Sequence, residues 1–122
     1  MYEVHNKDDQ FLNQLSAMIY TILTNEEHPS ILKLCEEMGI GRTKLHTEIK
    51  QRINLKTSEF INLVKIDYAK TLLVNPNLPI VLIAYKSGFN SSPYFSKIFK
   101  RFVRLSPSEW RKKKTKNGKD EQ

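Results

Sequence analysis

Apolar residues recur at intervals of three and four along almost the whole chain, which is the spacing of one face of an α-helix. Polar breaks containing Asn, Pro or Gly separate these apolar runs. The pattern predicts an all-α protein of about seven helices. Six of them are predicted at residues 9–24, 31–38, 42–52, 57–74, 80–87 and 92–102, and a short last helix follows Pro107 and ends at about Lys114.

Polar residues that can cap a helix stand before most of these runs. Pro93 and Pro107 fall in predicted first turns, where the missing amide costs little. Asn54 falls where a left-handed residue is expected to end the third helix. The predicted N-caps are Asp8 or Asp9, Ser30, Thr57 or Ser58, Ser91 and, in a capping signature that continues to Glu109, Ser106.

The helix predicted at residues 57–74 has apolar residues around most of its circumference. A helix that is apolar on several sides is buried on several sides. We therefore expect it to be a linker helix between a first subdomain, residues 9–56, and a second, residues 75–114. Residues 1–8 are expected to be a flexible lead, and residues 115–122, which contain no apolar side chain, a disordered basic tail.

The chain repeats itself at a spacing of about 50 residues. Residues 34–39 recur as residues 83–88, and Leu45, Ile49 and Lys50 recur as Phe95, Phe99 and Lys100. Residues 55–60 recur as residues 105–110. Each copy consists of a helix, a Gly-containing turn and a second helix, so the chain contains a duplicated helix-turn-helix. Such a duplication in a basic chain is typical of a DNA reader with two recognition helices.

Charge is distributed unevenly along the 122 residues. Residues 1–40 carry two cations and seven acids, a net charge of −5, whereas residues 41–122 carry +12, giving +7 in total. The positive field begins where the first recognition helix begins, and it attracts polyphosphate. A solvated, Lys-rich surface is the alternative interpretation of the same charges. No apolar run approaches the ~20 residues of a membrane span, so no membrane contact is expected in this segment.

The second half of the chain carries a long signature: Ile80-x-x-Ile83-Ala84-x-x-x-Gly88-Phe89-x-Ser91-x-x-Tyr94-Phe95-Ser96-x-x-Phe99-Lys100, then Ser106-Pro107-x-x-Trp110-Arg111. This signature resembles that of the AraC/XylS family of transcription regulators. Lys65-x-x-x-Ala69-x-x-Leu72-Leu73 is similar to the family's linker helix, with Lys where Arg is more usual. Arg104 stands where the family usually has Gly, and Gly41 where a Ser cap is common. The resemblance covers residues 9–113.

The resemblance implies two helix-turn-helix subdomains that insert recognition helices into successive major grooves of promoter DNA. It implies transcription activation with RNA polymerase as a further partner, in a cytoplasmic bacterial protein. It also implies a larger chain with a separate sensing or dimerisation domain, most similar to the output module of a hybrid two-component regulator. No cofactor is expected, and the single Cys35 fits a reducing compartment.

The outward positions of the two recognition helices are the candidate DNA contacts. Their side chains are small and polar or basic, and such groups hydrogen-bond base edges or phosphates. A plain solvated helix face is the alternative. By family alignment, Thr43, His46, Thr47, Ser92, Pro93 and Lys97 fall at base-facing positions. The full candidate set is Arg42, Thr43, Lys44, His46, Thr47 and Lys50 in the first helix and Ser91, Ser92, Pro93, Ser96, Lys97 and Lys100 in the second.

Helix-start amides at residues 41–43, 57–59, 91–92 and 107–109 can also hold phosphate, although each is more often only a capped helix end. The basic run at residues 111–114 either follows the DNA backbone or is a solvated tail. Trp110 and Tyr94 are expected to pack in the core rather than to stack on bases.

Residues that suggest an enzyme do not form a site. Cys35 aligns with Ala84 in the repeat, which indicates a small core residue. The three histidines lack metal-ligand spacing, and no Gly-rich phosphate loop occurs. We therefore expect neither catalysis nor a bound metal. The principal rival to a DNA reader is a basic helical adaptor that binds an acidic protein.

Overall fold

In the computed structural model, residues 9–120 are described, with side chains through Thr115. Over this range the chain is all-helical, which confirms the predicted fold class. The expected flexible lead at residues 1–8 lies outside the described residues. The seven described helices are α1 (Gln10–Thr24), α2 (Ile31–Met38), α3 (Arg42–Ile53), α4 (Thr57–Leu73), α5 (Ile80–Lys86), α6 (Ser92–Val103) and α7 (Pro107–Asp120).

Three predicted N-caps are confirmed by hydrogen bonds from helix amides to the capping side chain. Asp9 accepts from the Leu12 amide at 3.0 Å, and Ser30 accepts from the Lys33 amide at 3.1 Å. Ser91 begins α6 in the same way. Each bond satisfies one of the four amides that a helix start leaves unpaired, and such a cap stabilises a helix by about 1 kcal/mol.

A reciprocal capping box begins α7. The Glu109 amide donates to Ser106 Oγ at 3.1 Å, and the Ser106 amide donates to Glu109 Oε1 at 2.8 Å. Hydrogen bonds to the Glu109 carboxylate from the Ser106 amide and from the Ser106 side chain hold the pKa of Glu109 below its ordinary value. The capping signature predicted for residues 106–109 is therefore confirmed.

The predicted cap of α4 is wrong. Neither Thr57 nor Ser58 caps the helix, because the first intrahelical acceptor is the Lys56 carbonyl, which accepts from Phe60 at 2.9 Å. Glu59 reaches back to the Lys56 amide at 2.9 Å. Lys56 therefore occupies the cap position, and a lysine side chain has no hydrogen-bond acceptor. The Glu59 carboxylate provides the side-chain hydrogen bond at this helix start, and Thr57 is the first helical residue.

Two equivalent positions of the repeat end their helices in the left-handed conformation. Asn54 ends α3 with φ 57°, as predicted, and Arg104 ends α6 with φ 72°. The amide of each residue donates to a carbonyl four residues back, at 2.9 Å in both cases. Asn tolerates this backbone because its short polar side chain can hydrogen-bond locally, whereas Arg bears the steric cost of a Cβ without that compensation.

We expect Arg104→Gly to raise the free energy of unfolding by about 0.5–1 kcal/mol, because glycine carries no Cβ penalty at a positive φ. Urea denaturation followed by circular dichroism measures the change. Asn54→Gly is the matched control at the equivalent position, and its gain is expected to be smaller. A loss of stability in Arg104→Gly as large as the predicted gain would show that the arginine itself stabilises this turn.

The chain divides into two compact units within α4, at the boundary between Lys65 and Ile66. The first unit contains α1–α3 and the start of α4. Both α1 and α3 bury an apolar stripe, α2 buries Leu34, and α4 adds a run buried on several sides, as its apolar circumference predicted. The fully buried side chains of this unit include Leu15, Ile19, Leu34, Leu45, Ile49, Phe60 and Val64.

The second unit is built around aromatic rings. Phe95 lies between Phe89 and Phe99, with ring centroids 5.3 Å and 5.7 Å apart, and Trp110 of α7 packs edge-on against Phe99 at 6.2 Å. Tilted and edge-on pairs stabilise beyond the area they bury. The expected packing role of Trp110 is confirmed. The rest of this core is Ile66, Ala69, Leu73, Ile83, Ala84 and Ile98.

Two predictions for the second unit are wrong. Tyr94 was expected in the core but is 47% exposed, because Phe95 and Ile98 already occupy the inner face of α6. The backbone remains helical to Asp120, so the predicted end of the last helix at Lys114 is wrong, and residues 121–122 of the predicted tail lie outside the described residues.

Candidate nucleic-acid interface

The first recognition helix, α3, presents one polar face. Leu45 and Ile49 are fully buried and fix the inner side of the helix. All six predicted contact residues of this helix are exposed. Gly41 precedes the helix with φ −78° and supplies no side-chain cap, as its departure from the family pattern suggested. The exposed residues are Arg42, Thr43, Lys44, His46, Thr47 and Lys50.

His46 is held by a neighbouring helix. Its Nδ1 forms a hydrogen bond with Oγ1 of Thr57, the buried first residue of α4. The ring edge at Nε2 is therefore the part of His46 that is left to contact a base. The sequence does not indicate this pair, because the two residues are eleven positions apart and belong to different helices.

Arg52 links the end of α3 to α1. Its guanidinium donates to Asp9 Oδ1 at 2.9 Å and to Glu48 Oε2 at 3.2 Å, and it lies 4.9 Å from the ring centroid of Phe11. Partial burial alone would raise the pKa of Asp9, but the Leu12 amide and Arg52 outweigh it and lower that pKa. Arg52 thus joins the recognition helix to the start of α1, and no local pattern indicates this contact because its main partner is distant in sequence.

We expect Arg52→Ala to lower the free energy of unfolding at pH 7 by about 1 kcal/mol, the sum of weak ion pairs and one cation–π contact. Because the Asp9 pKa is depressed in the folded state, the ion pair stabilises above the unfolded pKa, about 3.9, and its contribution is lost as pH falls through the folded pKa. Thermal melts at pH 7 and pH 3 measure this. A difference between wild type and variant that is independent of pH would contradict it.

The second recognition helix, α6, is less exposed. Phe95, Ile98 and Phe99 face the core. Among the predicted contacts, Pro93, Lys97 and Lys100 are exposed, whereas Ser91, Ser92 and Ser96 are half-buried. Ser91 already uses its hydroxyl oxygen to cap the helix, at 3.2 Å from the Tyr94 amide. The exposed ring of Tyr94 adds a large side chain to this surface, which the sequence analysis assigned to the core.

The basic run at residues 111–114 has two structural roles. Arg111 donates to the carbonyls of Leu73, Asn75 and Leu78 at 2.9, 3.1 and 2.7 Å. It therefore ties α7 to the segment that links α4 and α5, and it is not a free surface cation. Lys112 and Lys113 are exposed, and the ammonium of Lys114 lies 5.5 Å from the Trp110 ring centroid.

Charge differs sharply between the two units. Residues 1–65 carry eight cations and nine acids, a net charge of −1. Residues 66–122 carry twelve cations and four acids, a net charge of +8. In the first unit, Arg42 and the buried Lys65 line a hollow of about 380 Å³ beside the start of α2. Burial lowers the pKa of Lys65.

Among the described residues, no group of three His, Cys, Asp or Glu side chains is placed to hold a metal ion. Cys35 is half-buried, whereas Ala84, its equivalent in the repeat, is fully buried. None of the helices described here is both long and apolar enough to cross a membrane.

Comparison with protein families gives one match that covers most of the chain. The family model described as a helix-turn-helix domain matches residues 34–113. The chain is 32% identical over 103 residues to histidine kinase P4 of Formosa agariphila, covering 84% of this chain and 7% of that protein. It is 29% identical over 98 residues to the HTH-type transcriptional activator RhaR of Escherichia coli, covering 80% of this chain and 35% of that protein. The chain therefore spans only a small part of these relatives.

A solved structure has the same fold. It is a transcriptional regulator from Chromobacterium violaceum, described among proteins that contain an AraC-type DNA-binding domain. The two structures superimpose with a TM-score of 0.66 at 26% sequence identity, over 81% of this chain and 94% of that one.

Proposed function

This chain belongs to the AraC family of helix-turn-helix transcription regulators, and from that membership we propose that it binds a specific sequence of double-stranded DNA through α3 and α6. Members of this family are DNA-binding regulators of transcription. The two recognition helices of this chain would enter successive major grooves about one helical turn apart. Because both helices belong to one chain, a single copy suffices to read both groove segments.

The observation that carries this proposal is that the same arrangement of buried and outward-facing residues occurs in both recognition helices. In both α3 and α6, buried residues at repeat-equivalent positions, Leu45 and Phe95, then Ile49 and Phe99, turn the opposite face outward. Those outward faces contain the short hydroxyl side chains and cations that contact base edges in the major groove. A face that only contacts solvent is not expected to repeat the same arrangement of hydroxyl and cationic side chains in two helices.

The two faces are expected to contribute differently. α3 offers Arg42, Lys44 and His46 as exposed donors, whereas three of the six candidate positions in α6 are half-buried serines and proline adds no donor. We therefore expect α6 to rely more on DNA shape and on methyl contacts. Phosphate contacts supply much of the affinity, with the +8 charge of the second unit as the main source.

We further propose that the chain is the DNA-binding part of a larger cytoplasmic regulator that activates transcription with RNA polymerase as a partner. Two features support this. The chain matches a small part of a relative named a histidine kinase, which fits a two-component system, and about a third of a relative named an activator. No catalytic role is assigned to the chain, and no cofactor is needed for groove binding.

Selection of bound duplexes from a random pool tests the proposal. The selected duplex and a scrambled control are then titrated at several salt concentrations. Two enriched sequence blocks about 10 base pairs apart, bound more tightly than the control at every salt concentration, are expected. Binding without enrichment that only fades as salt rises would instead favour the rival, a basic adaptor surface for an acidic protein.

A further inference from the structure

The surface of α5 carries large apolar side chains that the second unit leaves uncovered. Val81 is 55% exposed, Leu82 40% and Tyr85 55%. Residues four apart share a face of a helix, so Val81 and Tyr85 form one row and Leu82 and Lys86 form the neighbouring row. We call these four residues the α5 patch. Scattered exposed apolar residues are ordinary, but three together on one short helix indicate a contact surface.

The internal repeat shows that the fold does not require this apolar patch. The equivalent positions of α2 are Leu32, Lys33, Glu36 and Glu37, which we call the α2 patch. The inward positions keep small or aliphatic residues in both copies, with Leu34 equivalent to Ile83 and Cys35 to Ala84. Since the same helix folds with charges on its outer face in the first unit, the apolar outer face of α5 serves another purpose.

The α2 patch has the complementary chemistry. Leu32 is 62% exposed, the largest value among the exposed large apolar side chains, and Glu36 lies one helical turn after it. Lys33 is ion-paired with Glu27, so the charge that this patch presents is negative. The α5 patch presents Lys86 beside its apolar residues. Each patch thus offers an apolar centre with a charged edge, and the two edges have opposite sign.

We propose that the α5 patch of one copy of this chain docks on the α2 patch of a second copy bound beside it on DNA. This inference rests on the proposed function. α2 and α5 are the first helices of their helix-turn-helix motifs. In such motifs the second helix contacts the major groove, so the outer faces of α2 and α5 are not needed for base contact. The proposed contact is made once between neighbouring copies, so it is heterologous and arranges copies head to tail, with all sites in the same orientation. Its small area makes it weak in solution and effective only when DNA holds two copies together.

Cooperative binding to paired sites tests this contact. Three duplexes are compared: one carries a single selected site, one carries two sites in the same orientation at several spacings, and one carries two inverted sites. We expect wild type to bind two sites in the same orientation about tenfold more tightly than it binds two independent sites. This gain is expected only at spacings that place the two sites at one rotational phase of the DNA helix. Lys86→Glu and Glu37→Lys are each expected to abolish that factor. The double variant Lys86→Glu/Glu37→Lys is expected to restore it, because the reversed charges again attract.

The single-site duplex is the control for folding and for DNA contact, since neither substituted residue lies on a recognition helix. In one outcome, wild type binds the single site and yet binds paired sites of the same orientation without cooperativity at every spacing. That result overturns this inference alone, and the α5 patch would then be a contact surface for a different protein. Cooperativity unchanged by Lys86→Glu, or confined to inverted sites, also overturns it. Wild type without sequence-specific binding to the single site overturns the proposed function as well.

Discussion

Ala69→Asp is expected to unfold the protein and, through unfolding, to abolish DNA binding. Ala69 is fully buried in α4 within the aromatic core of the second unit. A carboxylate there has no room and no partner, and burying it costs several kcal/mol, about as much as a small domain has to lose. Because α4 also supplies the buried Phe60 and Val64 of the first unit, we expect loss of α4 to remove structure from both units.

Circular dichroism at 222 nm during thermal melting measures this loss. Thr71→Asp is the matched control, since it places the same carboxylate on the same helix at an exposed position. Its melting temperature is expected to stay within a few degrees of wild type. An Ala69→Asp protein that remains folded and melts like wild type contradicts the role of α4 as the helix on which both units depend.

Lys97→Ala is expected to reduce affinity for the selected duplex by roughly 5- to 150-fold, the 1–3 kcal/mol typical of a base-contacting cation. Lys97 is exposed on α6 and, with Lys100, is one of two long donors among candidate positions that are otherwise mainly serine. The preference for one base at a single position of the site should relax at the same time. Titration against the selected duplex and all substitutions at that position measures both effects.

Lys113→Ala removes the same charge from an exposed position of α7 and is the control. It is expected to lower affinity for every duplex slightly and equally. If Lys97→Ala behaves like this control, with a uniform loss and a salt slope reduced by about 1, then Lys97 contacts a phosphate and does not read a base.

Most of the fold could be predicted from the sequence, because helices and their ends depend on local patterns. Ser30 and Ser91 carry their capping signal within three residues, and Asn54 has a conformation that few other residues adopt without cost. The repeat then identified α3 and α6 as equivalent helices. Their inner residues followed from periodicity alone, since Leu45 and Phe95 are both fully buried.

The remaining features depend on contacts between distant segments or on competition for space. Arg52 and the His46–Thr57 pair each join different helices, and no local pattern indicates them. Tyr94 has the spacing of a core residue, yet its neighbours fill the inner face of α6 first. The N-cap of α4 was misassigned, although its first residue was predicted correctly, because Glu59, and not a preceding hydroxyl, completes the cap. Which exposed side chains contact bases depends on the DNA itself, and it stays a prediction.

The most direct test of two-groove reading by one chain is to change the phase of the two sequence blocks. Five base pairs, roughly half a helical turn, are inserted between the blocks of the selected duplex, and affinity is measured with the unmodified duplex as reference. Two recognition helices held on one chain predict that affinity falls to the level of the scrambled control or of a single block. Affinity unchanged by the insertion would show that the blocks are read independently, and would contradict the account.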